Sequence, residues 1–93
     1  MYNNREYQYV NITSAVTTQV FTGKGILHSV IINNIGSLGT ITIADSTSAT
    51  SPRVGIITLA SSPAADKFYD VSISSGLRIV TSATPDITVT YTS

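Results

Sequence analysis

No cysteine and no tryptophan occur in these 93 residues, and only 11% of them carry a charge. Without cysteine there is no disulfide, no thiolate nucleophile and no cysteine-based metal site. Without tryptophan, the aromatic platform most often used for sugars on a β-sandwich is missing. Histidine occurs once, at His28, which leaves little material for general acid–base or zinc chemistry. Strong helix formers are scarce too: glutamate appears only at Glu6 and lysine only at Lys24 and Lys67. The longest apolar run, Val30-Ile31-Ile32, falls far short of the roughly 18 residues a membrane-spanning helix needs. The opening Met1-Tyr2-Asn3-Asn4-Arg5 lacks the basic-then-apolar layout of a secretory signal. Synthesis in the cytoplasm, with retention there or release by lysis, is the expectation.

What is present points to an ordered β protein. Hydrophobic residues make up 42% and the formal net charge is zero, the opposite of a disordered chain. Threonine, serine, isoleucine and valine dominate. The β-branched members of that set are stiff at χ1 and suit a pleated, half-buried surface. A single domain of this size buries only about 60–65% of its unfolded surface. Tight packing and oligomerisation are the remaining ways to stabilise it. Zero net charge also does nothing to hold copies apart.

Short apolar segments alternate with turn chemistry along the chain. Strands are expected at 7–13, 16–22, 26–33, 39–45, 53–59, 67–74, 77–81 and 86–92. Val10 and Ile12 share one face, as do Ile41 and Ile43, as do Tyr69, Val71 and Ile73, and as do Ile87, Val89 and Tyr91. Residues 26–33 are apolar on both faces and read as a covered central strand. Gly23-Lys24-Gly25 reads as a hairpin turn, Ser75-Gly76 as a tight turn, and 46–52 and 60–66 as loops. Segment 60–67 can hold one helical turn, with Ser61 or Ser62 as N-cap and Pro63 in the first turn. The fold class is all-β: an antiparallel β-sandwich of two sheets and about eight strands, jelly-roll-like. Residues 1–9 form an N-terminal arm and 10–93 the single domain.

Reactive constellations are hard to assemble. His28 alternates with Ile26, Val30 and Ile32, which suits a structural, hydrogen-bonded histidine more than a catalytic one. Glu6, Asp45, Asp66, Asp70 and Asp86 are scattered, mostly at strand ends, where aspartate commonly caps turns. Asp70 falls inside a strand, opposite in face to Tyr69 and Val71, and reads as solvated or paired with a basic neighbour. A calcium ion held by loop carbonyls with Asp45 or Asp66 is the remaining metal option, but no calcium-loop motif is present. Arg5, Lys24, Arg53, Lys67 and Arg78 are dispersed, whereas phosphate backbones call for concentrated positive charge. The expectation is a non-enzymatic binding protein with no cofactor, no nucleic-acid partner and no membrane span.

Tyr2, Tyr7 and Tyr9 cluster near the start, with Arg5 between them. Tyrosine and arginine are favoured at protein interfaces. Tyr2, Arg5, Tyr7 and Tyr9 are therefore the candidate protein-interface residues, a latch onto a neighbour. The alternative is a frayed start followed by an ordinary edge strand.

The runs Gly25-Ile26-Leu27-His28-Ser29-Val30, Asn33-Asn34 and Gly39-Thr40-Ile41-Thr42-Ile43-Ala44-Asp45 resemble a pattern common in small structural proteins of tailed bacteriophages. So do Tyr69-Asp70-Val71-Ser72-Ile73-Ser74-Ser75-Gly76-Leu77 and Asp86-Ile87-Thr88-Val89-Thr90-Tyr91. The likeness runs from about Val16 to Tyr91 and rests on strand-and-turn patterns. It implies a head decoration (cement) protein or head fibre, a β-sandwich and often a homotrimer. The implied partner is the major capsid protein or another virion protein, and the implied location is the capsid surface. A tail, baseplate or fibre module that binds host glycan or another virion protein is the alternative.

Overall fold

A computed structural model describes residues 7–34, 36, 39–59 and 66–93. Eight strands follow one another: β1 (Gln8–Ile12), β2 (Thr17–Thr22), β3 (Gly25–Asn34), β4 (Gly39–Asp45), β5 (Arg53–Leu59), β6 (Lys67–Ile73), β7 (Gly76–Thr81) and β8 (Asp86–Thr92). There is no helix among the described residues. The strands form two four-stranded sheets, a front sheet ordered β1-β8-β3-β6 and a back sheet ordered β2-β7-β4-β5. Every ladder is antiparallel. Of consecutive strands only β4 and β5 pair with each other; the rest of the chain shuttles between layers. This is the strand order of a jelly roll. Gln8 and Tyr9 belong to β1, while residues 1–6 and residues 60–65 of the 60–67 segment that can hold a helical turn lie outside the described residues, Lys67 opening β6.

Alternation builds the core. Leu27, Val30, Ile73, Ile87 and Val89 face inward from the front sheet, and Ile41, Ile43, Ile57, Leu59, Leu77 and Ile79 from the back. All are essentially sealed from water. Each such aliphatic side chain contributes about 1.5–3 kcal/mol on burial. Tyr69 and Tyr91 pack against this layer, as their parity predicts, and Tyr91 stacks on Phe21 across the sheets at 5.4 Å. Burial pushes the Tyr69 phenol up from its ordinary pKa.

Gly23-Lys24 does not close a hairpin. β2 lies in the back sheet and β3 in the front, so the two residues turn a corner between layers. The reason lies at Gly25, where a Cβ would stand 2.6 Å from both the Phe21 ring and the Thr92 carbonyl oxygen. The corner at Ser74-Ser75, from β6 to β7, sits beside it, and the Gly23 N–H donates to the Ser75 carbonyl at 2.8 Å. Asp45 fastens that second corner. Its carboxylate accepts from the backbone N–H groups of Ser74 (2.9 Å), Ser75 (2.7 Å) and Gly76 (3.3 Å). The Ser74 N–H, followed by that of Ser75, holds the Asp45 carboxyl below the usual carboxylate range.

Gly36 has φ +61°, and a Cβ there would lie 2.3 Å from the Thr84 carbonyl oxygen. Gly36→Ala should therefore lower the unfolding free energy by about 2 kcal/mol or more, read by urea titration. Asp45 has a depressed folded pKa, so its contribution is complete above the ordinary carboxylate value and disappears as pH falls through the lower folded one. Asp45→Asn should cost about 1–2 kcal/mol at pH 7, the exposed carboxylate being partly screened. It should also flatten the decline in stability between pH 5 and pH 2 relative to the native chain.

Candidate functional surface

The outer face of the front sheet carries most of the exposed large apolar side chains. Register places Tyr9 opposite Thr90, Thr90 opposite Ser29, and Ser29 opposite Phe68, a row that crosses all four strands. Tyr9 is 73% exposed and Phe68 65% exposed at the two ends of that row. Between them the Ser29 and Thr90 hydroxyls bond each other at 2.5 Å, and Ser29 is buried.

An irregularity raises a second tier of groups beside this row. Both ladders of β3 shift between Leu27 and Ser29: β3 gains a residue at His28 against β8, and β6 gains one, between Phe68 and Val71, against β3. On β6 the same disturbance puts Asp70 in a left-handed conformation, φ +49°. A β-bulge of this kind re-aims a side chain. Here it breaks the parity that would have kept His28 on the face of Val30 and Ile32, and turns it outward. His28 Nδ1 and Asp70 Oδ1 meet at 2.5 Å. Tyr7 stacks on the imidazole with ring centres 4.1 Å apart and planes 18° off parallel. Phe68 meets the same ring edge-on at 5.7 Å. The result is a ring cluster of Tyr7, His28 and Phe68, with the Asp70 carboxylate on its border and Tyr9 two residues along the strand from Tyr7 on the same face.

Farther along the same face lies a polar cluster. Asn11 Nδ2 donates to Asp86 Oδ1 and to the Ile87 carbonyl, both at 2.8 Å. Asn33 Nδ2 donates to Asp86 Oδ1 at 3.2 Å and to Thr88 Oγ1 at 2.9 Å. The Asn11 amide, then that of Asn33, holds the Asp86 carboxyl below the usual range. Ile31, opposite Thr88, lies beside this cluster, and on β1 Asn11 follows Tyr9 on the same face.

The outer face of the back sheet is different in kind. Thr40, Thr42 and Thr58 line it, with Ile56 as its large exposed apolar residue. Gln19 there is spent internally: its Nε2 donates to the carbonyls of Phe21, Ser46 and Leu77, and its Oε1 accepts from Arg78 Nη1. Asp45 and Asp66 are also engaged, Asp66 accepting from the Ile32 N–H at 2.9 Å. No group of three or more His, Asp or Glu side chains able to hold a metal exists among the described residues.

Of the four sequence-derived interface residues, Tyr7 and Tyr9 stand on the front face, and Tyr2 and Arg5 lie outside the described residues. Phe68 and His28 join the face beyond those four, and Asp70, read from the sequence as solvated or paired with a basic neighbour, meets His28 there. Strand parity alone places Phe68 and Asp70 opposite Tyr69 and Val71. Nothing in the sequence announces the extra residue that turns His28 outward. No protein-family model and no curated protein sequence matches this chain.

The left-handed residue gives a direct check on the bulge. Asp70→Ala and Asp70→Gly both remove the bond to His28, but only glycine is at ease at φ +49°. The alanine variant should be less stable than the glycine variant by about 1 kcal/mol in thermal or urea unfolding. Equal stabilities would mean that the bulge is absent.

Proposed function

We propose that this protein is a structural virion protein that binds the capsid surface and stabilises it, as a decoration or cement protein, through the outer face of its front sheet. One observation carries the choice of surface: exposed rings on three different strands or their flanks converge on one side of a braced sandwich. Exposed apolar patches of this kind mark interaction sites. Tyrosine and phenylalanine are interface anchors that lose little conformational freedom on binding. The sheet beneath them is held by the interlayer core, so the patch is presented ready-made and little ordering cost attends its docking. The resemblance to small phage structural proteins supplies the capsid as partner. Jelly rolls recur in capsid and lectin domains, which agrees with this reading at the level of fold alone.

Cement function asks for many copies, each with a modest contact, acting together on a repetitive lattice. A flat patch with few charges suits that demand, because its strength comes from ring burial and is little affected by salt.

A second reading, a tail, baseplate or fibre module that binds host glycan, draws support from the Asn11–Asn33–Asp86–Thr88 cluster beside the rings. Amide and hydroxyl groups next to an aromatic surface suit a polyhydroxylated ligand.

Co-sedimentation separates the two. The native chain should pellet with purified capsids of the phage that encodes it. Tyr9→Ala combined with Phe68→Ala should weaken that association about tenfold or more, the loss typical of truncated aromatic anchors. A salt increase from 0.1 to 0.5 M should change it little. No pelleting at all, together with saturable binding on a glycan array abolished by the same double variant, would replace the capsid reading with the glycan one.

A further inference from the structure

Each sheet ends in two edge strands, and open edges are templates for pairing with another chain. The four edges here are not equivalent. β2 carries a register shift between Gln19 and Phe21, the β4–β5 ladder shifts at β5 next to Arg53, and β6 is distorted opposite His28. Such bulges are a common device for blunting an edge. β1 alone pairs in unbroken register, Gln8 through Ile12 against Tyr91 through Ile87. Its five residues, Gln-Tyr-Val-Asn-Ile, contain no charge, no proline and no glycine. Among the described residues, β8 is its one partner strand.

We infer that the free edge of β1 pairs with the β1 edge of a second copy of this chain, antiparallel and centred on Val10. The segment is self-complementary in that register. Val10 faces Val10 of the other copy, Tyr9 faces Asn11, and Gln8 faces Ile12. Residues directly opposite then share a face, so both inward sets stay inward and both sandwiches keep their layers aligned. A shift by one residue would set the inward Val10 beside the outward Asn11 and is excluded by the same rule. No like charges oppose each other anywhere in the pair, and the net charge of zero adds no long-range repulsion. An isologous contact of this kind closes at two copies.

The consequence is an eight-stranded front sheet running through both copies. The Tyr7 and Tyr9 side chains of the two chains flank the two-fold axis, and the two ring patches become one surface of twice the width. A second copy fits this edge better than an unrelated strand because the matching register, parity and neutrality are all supplied by β1 itself. The contact is small. Five residues extend about 17 Å, and an edge of that length buries well under the roughly 800 Å² per partner of a stable dimer. The pair is therefore weak and driven by concentration.

This inference goes beyond capsid binding and is tested on the free chain. Sedimentation velocity should show less than about one tenth of the chain as dimer at 10 µM and a majority at about 1 mM, a dissociation constant of order 0.2 mM. Tyr9→Lys with Asn11→Lys, which would set like charges opposite each other, should remain monomeric at 1 mM with an unchanged far-UV spectrum. Tyr9→Glu with Asn11→Glu should do the same, and mixing the two variants should restore the dimer. If either variant fails to fold, amide exchange of the native chain decides. The β1 N–H groups that point away from β8 should gain protection about threefold between 10 µM and 1 mM, as the monomer fraction falls. A monomer at 1 mM, a dimer indifferent to both variants, a trimer, or β1 amides whose exchange ignores concentration would each overturn the inference.

Discussion

The aliphatic layer between the two sheets is the constraint on which everything else rests. The chain has no disulfide, and no buried ion pair spans the sheets among the described residues. Stability therefore comes chiefly from isoleucine, leucine and valine side chains interdigitating across a gap of about 10 Å. Such packing fixes register, because a slip of one residue would turn every inward side chain outward. It also fixes the corners. With β2 and β3 in different layers, and β6 and β7 likewise, the chain must cross the thickness of the sandwich in two residues. Gly25 and the Asp45 carboxylate make those crossings feasible by removing a side chain from one corner and capping the other.

A surface that binds must present groups that the core does not claim. Strict alternation would have kept His28 among the inward residues. One extra residue in β3 against β8, and one in β6 against β3 that includes the left-handed Asp70, turn the imidazole to the outside and tie it to a carboxylate. The cost is local: a broken stretch of ladder and one strained residue. The gain is a rigid centre around which Tyr7 and Phe68 gather. Strain of this sort survives where the surrounding structure over-determines it. Here the ladders of β3 with both β6 and β8 resume on either side of the bulge.

Much of the architecture was legible in the sequence because its signal is periodic. The inward sets Ile41 and Ile43, Tyr69, Val71 and Ile73, and Ile87, Val89 and Tyr91 all follow from parity, and all pack into or against the core. The strand boundaries agree to within a residue or two, with β3 opening slightly earlier, at Gly25. Strand order was not legible, since pairing partners far apart along the chain leave no local trace. For the same reason Gly23-Lys24 looked like a hairpin: a two-residue turn reads alike whether it joins paired strands or changes layers. The candidate surface was half legible. Tyr7 and Tyr9 stood out by composition. His28 required knowledge of a bulge that only the geometry of three adjacent strands defines.

The central claim is that the outer face of the front sheet, not the threonine-lined face of the back sheet, is the working surface. Hydrogen–deuterium exchange of the capsid-bound protein tests it most directly. The account predicts added protection in β1, in β3 around His28 and in β6 around Phe68, with β4 and β5 exchanging as in the free protein. Protection confined to β4 and β5, on the side of Thr42, Ile56 and Thr58, would contradict it.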